Sequence, residues 1–213
     1  MPGASQTLHV PETPHIEMPA ETSMKQSHTA GYLRNQDSPL RRYPGDQYAF
    51  ALSSSDALAA MTLDFYASLL RNFVDSNDPQ AEIATATGKA LRIWPEKKIP
   101  GFGEHGTGYR YGLTTLGILL DDGKSLLNRL DATAPAYVIT YDSKIKNPML
   151  HRVAAAQAIH FWAFHAEIQN VPELKVRSAA TLAQCMWLYG SLSATPSDVL
   201  NTVRQDDIPV FEE

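Results

Sequence analysis

"NPMLHRVAAAQAIHFWAFHAEI", Asn147 to Ile168, reads as one helix, and its apolar residues do not keep to one side. Val153, Ala156, Ile159, His160, Trp162, Phe164 and Ile168 put apolar or aromatic surface nearly all round the cylinder. A surface helix carries one apolar stripe, whereas a helix that is apolar all round is buried on several sides. That burial comes from its own domain or from neighbouring subunits. The fold must therefore bring other helices around this one.

Working outward, "AYVITY" (Ala136 to Tyr141) precedes it and is the best strand candidate, being β-branched and aromatic. Before that, "LTTLGILLDDGKSLLNRL" reads as a helix through Leu113, Leu116, Leu120, Leu127 and Leu130, with Gly123 placed to kink or split it. On the other side, "RSAATLAQCMWLYGSL" is a further helix. "TPSDVLNTVRQ" is a short last one, with Thr195 as cap and Pro196 next. An acidic end, "DDIPVFEE", follows.

Two helices lie nearer the N-terminus. In "YAFALSSSDALAAMTLDFYASLLRNFV", Ser54 or Ser55 can cap and Asp56 sits in the positive first turn. Leu58, Met61, Phe65, Leu69 and Phe73 then give one apolar face at helical spacing. The next helix starts at Asp78 and Pro79, and its expected face is Ile83, Ala86, Ala90, Leu91 and Trp94. The pattern predicts a mainly α fold with a four-helix-bundle-like core over 48–170. A coreless N-terminal arm occupies 1–47, and a C-terminal helical extension with an acidic tail occupies 171–213. The arm expectation rests on six prolines among sparse apolar residues, since proline removes an amide donor and restricts its neighbour.

Composition narrows the function. The 213 residues are 44% hydrophobic and carry a formal charge of −5, so there is no general attraction to nucleic acid or anionic membrane. A single Cys185 excludes an internal disulfide and a cysteine-based metal cluster. The N-terminal stretch lacks the basic-then-apolar pattern of a signal peptide. No apolar run approaches the roughly 18 residues that span a bilayer, so no membrane partner is expected.

Chemical motifs fail their context tests. "GFGEHGTG" contains the Gly-x-Gly-x-x-Gly pattern at Gly101, Gly103 and Gly106, but no strand precedes it and no βαβ unit exists. It reads as a connector leading to Arg110 in "GYRYG". His160 and His165 lie five apart and diverge around a helix, and His-Glu-x-x-His is absent. No cofactor or metal is expected. Phosphate contacts are the remaining chemistry. Lys124 and Arg129 share a helix, while Lys144 and Lys146 precede a helix whose first turn carries His151 and Arg152. Free amides at a helix start favour an anion, and an arginine beside them can clamp it.

Read in order, "YAFALSSSDAL", "LRIWPEKKIPGF", "GYRYGLTTLGILLDDGKSLLNRL" and "KNPMLHRVAAAQAI" resemble the coat proteins of tobacco mosaic virus and other rod-shaped plant viruses, over about residues 48–168. The resemblance implies a four-helix bundle that stacks into a helical rod around single-stranded RNA, in a virion or the host cytoplasm. It implies that Arg129 and Arg152 hold phosphates. His151 stands where the family usually has another arginine, and Ala154, Ala155 and Ala156 replace its aspartates. Lys124 and Lys146 complete the expected RNA-binding set. Arg41, Arg42 and Tyr43 in the arm, with Asp121 and Asp122, are the expected subunit contacts. The expected partners are further copies of the chain and RNA, with no enzymatic activity. The alternatives are a cellular α-helical adaptor and a histidine-based cofactor enzyme using His160, His165 and Glu167.

Overall fold

A computed structural model of the chain describes residues 28–95, 114–144 and 147–191. The apolar run expected as a strand forms β2 (Ala136–Ile139) and pairs antiparallel with β1 (Phe50–Ser53), Phe50 opposite Ile139 and Leu52 opposite Tyr137. Successive side chains of a strand point to opposite faces, so this ribbon has two distinct sides. Phe50, Leu52, Tyr137 and Ile139 enter one core, and Ala49, Ala51, Ala136 and Val138 enter another.

The larger core is helical. It is built by α2 (Ala59–Leu69), α3 (Pro79–Ile93), α6 (Pro148–Ile168) and α7 (Glu173–Leu188). α2 packs between α3 and α6, and α7 packs on α6. Trp162 of α6, 1% exposed, meets Phe50 edge-on at 5.2 Å between ring centroids. Asn170 takes the left-handed conformation (φ 56°), which asparagine tolerates, and the chain turns there from α6 into α7. The smaller core lies across the ribbon, under α1 (Ala30–Arg34), a 3₁₀ turn (Pro39–Arg42), α4 (Leu116–Asp121) and α5 (Leu126–Arg129). The fold is mainly helical with a small two-stranded sheet. No helix among the described residues is long and apolar enough to cross a membrane.

Several local signals hold. Asp78 Oδ1 accepts from the Gln80 and Ala81 amides with Pro79 opening α3, and α6 spans the all-round apolar stretch. The helix expected over Leu113 to Leu130 splits into two at Gly123, as that glycine allows. Ser125 caps the second by accepting from the Asn128 amide. Both sit on the far side of the ribbon, and α7 takes the expected place in the helical layer. The main core therefore crosses the expected boundary at 170, with Leu182 and Met186 packed in the same cluster as Trp162.

The arm boundary at 47 also moves. Ala30 and Leu33 are fully buried, and the Ala30 and Gly31 amides donate to the carbonyls of Ala134 and Ala132, each at 2.9 Å. A Cβ on Gly31 would stand 2.8 Å from that Ala132 oxygen, so only glycine lets α1 lie so close. Burial of Ala30, Leu33, Leu40 and Tyr43 against the ribbon gives residues 28–47 a place in the fold that their own composition does not supply.

Two helices bury only part of their expected faces: Leu58 and Leu91 are buried and Leu69 and Ile83 pack at the core's edge, but Met61 and Phe73 are exposed. α2 buries Ala59, Thr62, Leu63, Tyr66 and Ala67, and α3 buries Ala81, Ala84, Thr87, Gly88 and Leu91. Gly88 of α3 lies close against Ala60 and Leu63 of α2, and Leu63, Tyr66 and Leu91 fill the core beside that contact. A π-helical turn (Leu70–Val74), closed by the Asp75 amide on the Leu70 carbonyl, follows α2. The α2 helix also starts later than Ser54 or Ser55. Asp56 accepts from the Leu58 amide and from Trp162 rather than lying in a first helical turn. The glycine connector, Arg110, Lys146 and the expected helix from Thr195 lie outside the described residues.

Candidate functional site

The expected phosphate pair does not assemble. Arg152 is 6% exposed; its Nη2 lies 3.0 Å from Met149 Sδ, and its guanidinium hydrogen-bonds the Tyr141 hydroxyl. His151 is 1% exposed, and its Nδ1 accepts from the Asp142 amide at 2.9 Å. An imidazolium would lose that acceptor, and burial holds the His151 pKa below its ordinary value against smaller pulls from Asp78 and Asp142. Both residues serve the junction between β2 and α6. A residue at the start of a helix faces either solvent or the core, and here Ala154 and Ala155 turn that face inward.

Arg129, by contrast, is exposed at the last position of α5, and Lys124 is exposed in the turn before it. α5 packs on the smaller core and α6 on the larger, so the helices bearing Arg129 and Arg152 lie on opposite faces of the ribbon. Arg34 of α1 holds the end of α5, its Nη1 donating to the Leu127 and Leu130 carbonyls at 3.0 and 3.1 Å.

The expected subunit contacts are engaged within the chain. Arg41 pairs with Asp121 at 3.0 Å. Arg42 Nη2 donates to the Tyr43 hydroxyl at 2.8 Å and lies 3.7 Å from Asp142, and that hydroxyl donates to Asp142 Oδ2 at 3.0 Å. Asp122 Oδ1 accepts from the Lys124 amide and shapes the α4–α5 turn. These residues tie the N-terminal segment to the ribbon and to α4, a role that short-range sequence reading could not separate from an intermolecular one.

The fold also leaves large apolar side chains outward. Met61, Phe65, Leu69 and Phe73 form the stripe legible in the sequence, and Phe73 is 62% exposed. Beside it, α6 presents Leu150, Val153, Phe161, Phe164 and Ile168, the last 60% exposed. Phe65 and Phe161 stack at 4.4 Å and join the two stripes. An open groove of about 310 Å³ runs between Leu69, Phe73, Leu150 and Val153. Large contiguous apolar surface on a folded protein marks a contact surface. The signal for it was present in the spacing of Leu58 to Phe73, but that spacing states only that a face is apolar, not which way it points.

His160 and His165 occupy α6, where His165 packs against Phe161 and Phe164 at 4.4 and 5.4 Å between ring centroids. Among the described residues, no three His, Cys, Asp or Glu side chains stand where they could hold a metal ion. The chain matches no protein-family model, no curated protein and no solved structure.

Proposed function

We propose that this chain is the coat protein of a helical virus, polymerising through the apolar face of α2 and α6 and enclosing single-stranded RNA. The observation that carries the reading is that face: Phe73, Leu150, Phe164 and Ile168 are turned outward beside a core already filled by Leu63, Tyr66 and Trp162. Burial of such area is the main source of cohesion between subunits, at roughly 25 cal/mol per Å² of apolar surface. The RNA half of the reading rests on the order of motifs shared with rod-shaped plant virus coats and on the exposed cations Arg129 and Lys124. Arginine and lysine neutralising phosphates give binding without sequence readout. A net acidic subunit is compatible, since only the surface along the RNA needs positive charge. Residues 1–27, with four prolines, would act as an arm reaching a neighbouring subunit.

Negative-stain microscopy of the purified protein, alone and with single-stranded RNA, tests the reading. Discs, rods or filaments whose length follows the RNA are expected. A monodisperse monomer with and without RNA would instead make the apolar face the dock for a different protein, as in an adaptor.

A further inference from the structure

A second cavity, of about 250 Å³, opens at the ribbon edge between α1, the 3₁₀ turn, α3 and β2. Its chemistry is unlike that of the outer groove. His28, Tyr32, Arg42, Tyr43, Gln80 and Tyr137 line it, so it combines aromatic faces with hydrogen-bonding groups and one cation. We propose that this cavity takes one nucleotide, its base against His28 and Tyr32 and its phosphate at Arg42. For a coat protein the nucleotide belongs to single-stranded RNA, and the inference rests on that reading for its source.

Four observations carry it. First, the rings form a wall. His28 stacks on Tyr137 at 5.6 Å with 18° between planes, and Tyr32 leans on His28 at 5.1 Å. Tyr32 is 47% exposed, so it still has area to offer an incoming ring. Stacking on such rings is sequence-tolerant because every base has a π-face. Second, His28 is fixed in place, its amide donating to Thr87 Oγ1 at 3.0 Å. Burial lowers its pKa to about 4, so at neutral pH the ring is uncharged and serves as a stacking surface.

Third, the Arg42 guanidinium lies 5.0 Å from the Tyr43 ring centroid. Its Nη2 is held by the Tyr43 hydroxyl, and its side chain is 59% exposed, which leaves the rest of the fork for a phosphate. Asp142, 3.7 Å away, offsets part of that charge. Stacking therefore supplies more of the preference here than charge does. Fourth, α1 borders this cavity and also packs on α5, which ends in Arg129. Arg129 is therefore the exposed cation on a helix adjoining the one that borders the cavity.

The experiment measures anisotropy of labelled single-stranded RNA of about ten nucleotides, a length within the range such sites take. Calorimetry with AMP serves as the second arm. The proteins are wild type, Tyr32→Ala, Tyr32→Phe, and Lys124→Gln with Arg129→Gln. Tyr32→Ala should weaken oligonucleotide binding about five-fold or more, the loss of one stacked base, without changing the salt slope. Tyr32→Phe should bind as wild type. If Tyr32→Ala binds RNA as well as wild type while the Lys124/Arg129 variant loses it, the cavity assignment is overturned and the RNA reading stands. AMP binding that depends on Tyr32, with no oligonucleotide binding, would support the cavity's nucleotide chemistry and overturn the RNA reading. Binding of neither ligand overturns both.

Discussion

Trp162 Nε1 donates to Asp56 Oδ2 at 2.7 Å, joining positions 106 residues apart in the middle of the helical core. The same carboxylate accepts from the Leu58 amide at 2.8 Å, so one buried acid fixes both the start of α2 and the orientation of the largest side chain in α6. Asp56→Ala leaves the indole N–H without an acceptor. A cost of about 1–3 kcal/mol in urea unfolding at pH 7 is expected. An unchanged midpoint would mean that the bond contributes nothing to the fold.

Burial pushes the Asp56 pKa up to about 6, partly offset by the Trp162, Leu58 and Ala59 donors. The unfolded value is about 4, so between pH 4 and 6 the folded state holds a proton that the unfolded state releases. The Asp56 contribution is full below about pH 4 and is lost as pH rises through 6. The stability difference between wild type and Asp56→Asn should shift across that window by an amount on the order of 2–3 kcal/mol. A flat difference from pH 4 to 7 would contradict the assignment.

His28 works in the opposite direction over nearly the same range. Its pKa is lowered to about 4 by burial, so its contribution is present above pH 6.5 and is lost as pH falls through 4. His28→Phe should therefore flatten the acid limb of the stability curve, whereas Asp56→Asn should steepen it. Unfolding curves of the two variants between pH 4 and 7 check both signs together.

Leu33 distinguishes a folded N-terminal segment from an arm. It is fully exposed in an arm and fully buried in the smaller core. Leu33→Ala should cost about 2–5 kcal/mol through the cavity it leaves. A change within about 0.5 kcal/mol, the usual range for surface positions, would return residues 28–47 to an arm.

Much of this architecture was legible where the cause is local. Asp78 and Pro79 announce α3 because a cap and a first-turn proline need only their neighbours, and β2 and α6 follow from short, dense apolar runs. β1 was not foreseen, because a strand buried on both sides has no alternation to separate it from part of a helix. Which side of α2 faces inward was not legible either. The fit of α2 against α3 decides it, with Leu63 beside Gly88, and neither helix alone contains that information. Of the candidate RNA residues, Arg129 and Lys124 are exposed and Arg152 and His151 are buried. Charge is written in the sequence, but burial of a charged residue depends on a partner such as Tyr141 that comes from another element.

The cations divide accordingly. Lys124→Gln with Arg129→Gln should leave thermal stability within about 0.5 kcal/mol and reduce the salt slope of RNA binding by roughly one for each phosphate no longer neutralised. Arg152→Ala should do the reverse, lowering stability by about 1–3 kcal/mol with RNA affinity nearly unchanged in the folded fraction. A selective loss of RNA binding in Arg152→Ala would reverse this division.

Subunit association is proposed to run through the outward face of α2 and α6. Sedimentation velocity of wild type against Phe73→Glu with Phe164→Glu tests it most directly, because both side chains are largely exposed and their replacement leaves the core untouched. Wild type should sediment as discs or longer polymers. The double variant should sediment as a 23.5 kDa monomer with its helical circular dichroism intact. A wild type that stays monomeric, or a variant that polymerises as wild type does, would contradict the account.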